Sequence, residues 1–163
     1  GVLKIGSDTQ FIIGKTSNAT YIQANPDSDV KLYFNNSQKL ATTNTGAIVT
    51  GILTATTFSG RLENVPASNK TAAYTAVKED AGTIIRTNNA SGVTINQNIF
   101  ASGDIISVYN NSGGDISIVQ GTGVTLRLVG TSTTGTRTLA LRGLMTVTCV
   151  SSNEFVCSGG GLS

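Results

Sequence analysis

The block Gly46-Ala-Ile-Val-Thr-Gly-Ile-Leu-Thr-Ala-Thr-Thr-Phe-Ser-Gly60 is a run of Ile, Val and Thr with a glycine at each end and one in the middle. β-Branched residues at so many positions predict an extended strand over Ile48 to Phe58 whose two faces are both half apolar. Such a strand needs neighbours on both sides. The first 62 residues offer only short apolar clusters, Phe11-Ile-Ile13, Tyr21-Ile-Gln23 and Val30 to Phe34, too small to close a private core. Other copies of the same chain, wound around a common axis, are the simplest source of the missing surface.

Ser, Thr, Asn and Gly (16, 24, 14 and 19 residues) fill close to half of the 163 positions, and only 12% are charged. That profile favours turns and strands. It argues against helical bundles and doubly wound α/β folds, which need long runs of Ala, Leu, Glu and Lys, so the expected class is all-β. With 39% hydrophobic residues in alternating patterns and a net charge of +2, the chain folds rather than staying disordered. The few Lys and Arg are scattered singly, so nucleic acid is not an expected partner. The chain starts at Gly1 without methionine, and we read it as a processed product or a fragment of something longer.

Three regions are expected: a strand-rich segment 1–62, a linker 63–73 with a proline and little periodicity, and a second domain 74–163. In the second domain, strands are predicted at Thr83 to Arg86, Val93 to Ile95, Asp104 to Asn110, Ile116 to Val119, Val124 to Leu128, Arg137 to Ala140, Leu144 to Val150 and Glu154 to Cys157. Their short, regular spacing with Gly or Asn turns suggests a β-sandwich or jelly roll. A single helical turn capped by Gly82 is suggested by Thr75 to Gly82. Asn-Asn pairs at 35–36, 88–89 and 110–111 read as turns, and because no fixed period joins them a solenoid is not expected. The tail Gly159 to Ser163 reads as flexible. Cys149 and Cys157 flank a hairpin at Ser151-Ser-Asn153 that places Cys149 nearer to Glu154, Phe155 or Val156 than to Cys157, so two free buried thiols are expected.

Chemistry is sparse. Without histidine the usual general base and most zinc sites are missing, and the close acidic pairs Asp27/Asp29 and Glu79/Asp80 fall in turns. No enzymatic activity, cofactor or metal is expected. Gly14-Lys15-Thr16 ends like a phosphate-binding loop but lacks its first glycine and following helix; Asn25 to Asp29 spaces oxygens like a calcium loop but lacks the central glycine and closing glutamate. A hairpin and a solvated turn are the simpler readings. Tyr74 and Tyr109 could stack on sugars or simply rim a core.

The segment Val30 to Gly60, with Lys31-Leu-Tyr-Phe, Lys39-Leu-Ala-Thr-Thr-Asn-Thr and the glycine-bounded block, resembles the shaft repeats of bacteriophage tail fibres, especially those of cyanophages. Asp80 to Arg86, Ser102 to Asn111, Asp115 to Ile118, Gly123 to Arg127, Gly143 to Val147 and Ser152 to Val156 resemble the distal β-domain that closes many such fibres. The resemblance implies an elongated homotrimer, a short intertwined β-shaft followed by a sandwich or jelly-roll-like domain. It also implies a place in the virion beside other tail or capsid proteins, and attachment to a host-surface glycan or outer-membrane protein. It carries over no catalytic residues. Asn110, Asn111, Arg137 and Arg142, expected in distal loops, are the candidate receptor contacts. An inert fibre or decoration of the virion, or a monomeric non-viral adhesin or sugar-binding module, remain the alternatives.

Overall fold

The computed structural model describes residues 10–15, 19–57, 59–61 and 63–163; Gly1, Thr16 and Phe58, named above, lie outside them. Among the described residues the regular elements are β-strands apart from one short 3-10 turn, Lys78–Asp80, and the chain divides into two compact units, Gly1–Gly60 and Arg61–Ser163.

The first unit is a five-stranded antiparallel meander: β1 (Phe11–Gly14), β2 (Thr20–Ala24), β3 (Val30–Phe34), β4 (Ser37–Thr43) and β5 (Gly46–Val49), each paired with the next. Gly14 closes the first hairpin, because a Cβ there would stand 2.3 Å from the Ala19 carbonyl oxygen. The turn at 25–29 is held from within. Asn25 donates its side-chain amide to the Asp29 carboxylate and its N–H to the Asp29 carbonyl at 2.9 Å, while Asp29 pairs with Lys31 at 3.0 Å. Those two contacts hold the Asp29 carboxyl below its ordinary range, the Asn25 bond foremost.

The long strand expected over Ile48 to Phe58 is a correction. β5 stops at Val49, one further backbone bond runs from the Thr50 N–H to the Lys39 carbonyl (2.9 Å), and residues 51–57 belong to no sheet. The physical reason is where β4 begins: Ser37 directly follows the turn from β3, so no partner backbone remains beside most of 51–57. Ile52 is 93% exposed and Leu53 65%.

The second unit is a nine-stranded sheet folded towards a barrel. β6 (Ala67–Lys70), β8 (Ile84–Thr87) and β10 (Ile105–Asn110) pair in parallel, and so do β7 (Tyr74–Thr75), β9 (Val93–Ile95) and β11 (Ile116–Gln120). The chain alternates between the two groups, so residues 67–120 wind through three turns of a two-walled parallel coil. The 15-residue β13 (Arg137–Ser151) closes it, lying antiparallel to β11 through Arg137–Leu139 and to β10 through Leu144–Thr148. β14 (Glu154–Leu162) adds to β13, and β12 (Thr125–Leu128) runs parallel to β14.

Four expectations change here. Parallel pairing replaces the antiparallel order of a jelly roll. The coil itself departs from the expectation of no solenoid. Ala67 pairs with Ile84 and Ile84 with Ser107, separations of 17 and 23 residues, and unequal turns leave no period for the sequence to show. Part of the expected linker, 67–70, is a strand, since its backbone pairs with β8 although its side chains carry little apolar pattern. The tail is not loose either. β14 runs to Leu162, and Ser163 and Thr138 exchange backbone hydrogen bonds at 2.8 and 2.9 Å. Glycine makes that possible, because a Cβ on Gly159 would stand 2.3 Å from the Leu144 carbonyl oxygen.

Alternation places Ile85 and Val108, Val93 and Ile118, and Ile116 and Leu139 as inward neighbours in one core, completed by Phe100, Leu126, Met145, Val147 and Phe155. Phe155 packs edge-on against Phe100 with centroids 6.1 Å apart. Phe155→Ala should cost about 3–5 kcal/mol, read as a lower denaturation midpoint, because its pocket sits between walls that cannot collapse.

The hairpin register pairs Cys149 with Phe155 and Cys157 with Val147, and both thiols are free and buried, as expected. Burial pushes the Cys157 thiol up to about 11. A folded value raised above the unfolded one stabilises fully below the unfolded range near pH 9 and is lost as pH rises towards 11. Native protein should therefore resist thiol reagents at pH 8 and react at both cysteines once unfolded; rapid labelling of folded protein would contradict the packing.

Candidate functional site

Inward residues Ile85 and Thr87 on β8, Ile106, Val108 and Asn110 on β10, and Met145 and Val147 on β13 leave the alternate positions on the outer face. Register then assembles a row across strands. Asn69 pairs with Arg86, Arg86 with Tyr109, and Tyr109 with Leu144. Tyr109 and Arg86 are half-buried, while Asn69 and Leu144 are exposed.

A second row follows one strand step on, at Asn88, Asn111 and Arg142. Each β-ladder continues past its last strand residue, with the Asn88 N–H bonded to the Lys70 carbonyl and the Asn111 N–H to the Thr87 carbonyl, both 2.8 Å. The side chains are linked as well. Asn111 donates to the Asn88 side-chain oxygen at 2.6 Å, and the Arg142 guanidinium donates to the Asn111 side-chain oxygen. In the first row the Arg86 guanidinium donates to the Asn69 side-chain oxygen at 3.2 Å. Arg142 has a positive φ of 64° at the bend of β13, beside a shallow depression floored by Gly143, Gly160 and Gly161.

No family model, curated protein or solved structure matches the chain. What this surface can do rests on its own chemistry.

The four candidate contacts divide cleanly. Asn111 and Arg142 lie on the outer patch and touch each other. Asn110 and Arg137 are corrected from loop to interior. Asn110 ends β10 fully enclosed, its amide donating to the carbonyls of Gly114, Leu139 and Ala140 at 2.9–3.0 Å, while its oxygen accepts from the Ser112 N–H and hydroxyl at 3.0 and 2.7 Å. Arg137 is 6% exposed at the start of β13 and donates to the Gly135 carbonyl at 2.9 Å. Both residues serve the fold. An Asn-Asn-Ser string looks like a surface turn because Asn commonly bonds nearby backbone, and only the β13 carbonyls arriving from 29 residues away make the first Asn interior.

Sequence reasoning missed Asn69, Arg86 and Asn88 as members of the patch, and weighed Tyr109 only singly. The pattern polar-inward-polar in Arg86-Thr-Asn88 and Tyr109-Asn-Asn111 was available, but which strands lie side by side was not.

Proposed function

We propose that the chain is part of a bacteriophage fibre in which three copies associate through the first unit and the second unit displays the outer patch to the host cell surface. The observation that carries this is a row of aliphatic side chains in direct register across the entire meander: Ile13, Ile22, Leu32, Leu40 and Val49. Phe11 and Val30 lie on the same face, and among the described residues of this unit only Ala41 is buried. A sheet with one aliphatic face and no core of its own gains little by folding alone. Three copies turning that face to a common axis would bury it and shield the edges of β1 and β5.

An inert virion fibre would share this association without needing a surface rich in arginine, tyrosine and asparagine, and that patch favours attachment. The location in the virion, beside other tail or capsid proteins, follows from the same proposal, and three displayed patches would raise weak contacts to useful avidity. The test is solution mass by size exclusion with light scattering over a dilution series. A persistent species near three times 16.7 kDa is expected; a folded monomer throughout would favour a free-standing binding module instead.

A further inference from the structure

Arginine is the key to what the patch would hold. In the second unit, Lys78 pairs with Asp104 and Arg127 with Glu154, Lys70 sits 3.8 Å over the Tyr74 ring, and Arg137 is buried against a carbonyl. Arg86 and Arg142 bond only neutral asparagine oxygens and have no ion pair among the described residues; both lie on the outer face of β8, β10 and β13. Asp115, near in the fold, is engaged with the Leu141 N–H at 3.0 Å and makes no ion pair with Arg142. Each guanidinium has five donors and here uses one in a side-chain bond, leaving the fork that suits a carboxylate.

We infer that this face binds an acidic polysaccharide, with Arg86 and Arg142 on carboxylates of neighbouring sugars, Tyr109 between them against a sugar ring, and Asn69, Asn88 and Asn111 on hydroxyls. Strands about 4.8 Å apart put Tyr109 one step from Arg86 on one side and from Leu144, two residues beyond Arg142, on the other. Paired strands fix this spacing before any ligand arrives, so little order is lost on binding. The tyrosine supplies flat apolar area with a polar edge, which a purely electrostatic patch lacks. This inference deepens the attachment role and rests on it, since it names the class of surface molecule that the fibre would meet.

The experiment measures the intact chain against immobilised polygalacturonate, its fully methyl-esterified form and dextran sulfate, with light-scattering mass recorded on the same samples. Binding to the free acid is expected, with loss on esterification. Arg86→Gln with Arg142→Gln should weaken it by about tenfold or more, and Tyr109→Ala by a comparable factor, with melting temperatures unchanged. Failure to bind the free acid would overturn the inference, as would equal binding to the ester or full affinity in the double variant. Tighter binding to dextran sulfate with indifference to Tyr109 would also overturn it, showing charge attraction without a sugar site. The ester comparison needs no variant and so stands if a substitution fails to fold. A trimer that ignores every acidic glycan removes this inference alone, whereas a monomer that binds the free acid removes the fibre proposal and keeps the site.

Discussion

Leu32→Asp is expected to reduce the proposed trimer to a species of monomer mass. Leu32 stands at the centre of the meander, paired with Ile22 on one side and Leu40 on the other, and is 40% exposed in the single chain. Covering it and its four companions would contribute about 1 kcal/mol for each half-exposed side chain per copy. An aspartate there would bring three carboxylates together in an apolar interface. A buried, unpaired charge costs several kcal/mol, and like charges at close range add to it. Size exclusion with light scattering reads the result directly. Lys39→Glu, on the opposite face of β4, serves as control and should leave the mass unchanged, because Lys39 and the Leu40 of the row point to opposite sides. If Leu32→Asp keeps the mass of the native chain, the aliphatic row is not the surface through which copies meet.

Asn110→Ala should destabilise the second unit by about 3 kcal/mol, a fall in melting temperature on the order of 10 °C or more. One amide joins the start of the β10–β11 connection to the bend of β13 by bonding the carbonyls of Gly114, Leu139 and Ala140. Alanine removes all three bonds, strands the Leu139 acceptor in a place closed to water, and also removes the oxygen that holds Ser112. Asn110→Asp tests the chemistry at constant shape: it removes the donor and points a carboxylate at the three carbonyls, so it should be at least as damaging. Asn111→Ala, one residue further and on the outer face, should leave the melting temperature within a few degrees. Thermal melts of the three variants decide the matter. Equal, small shifts for all of them would mean that the enclosed amide contributes little.

The contrast between these neighbours marks where sequence reasoning reaches its limit. Strands in the second unit were legible because their alternation is clean. Val93 to Ile95 matches outright, and Arg137 to Ala140 and Leu144 to Val150 prove to be two parts of one strand across the bend at Arg142 and Gly143. Cys149 and Cys157 were legible for the same reason, since a tight hairpin dictates which residues face each other. Harder to see were β6, with no apolar period, and the parallel coil, whose successive turns differ in length by six residues on β8's wall. Of the patch, Asn111 and Arg142 were anticipated. Arg86 and Asn88 were not, because nothing in their local sequence says that Tyr109 and Asn111 lie on the next strand.

By itself, then, the sequence determined the all-β class, the positions of most strands, and the shortage of core in the first sixty residues, because these follow from side-chain alternation and composition along the chain. Which strands pair, and in which direction, was decided only by the tertiary structure. Backbone hydrogen bonding is indifferent to side-chain identity, so partner choice falls to the packing of Ile85, Val108, Ile118 and their neighbours in a shared core. That same packing turned Asn110 inward and Asn111 outward.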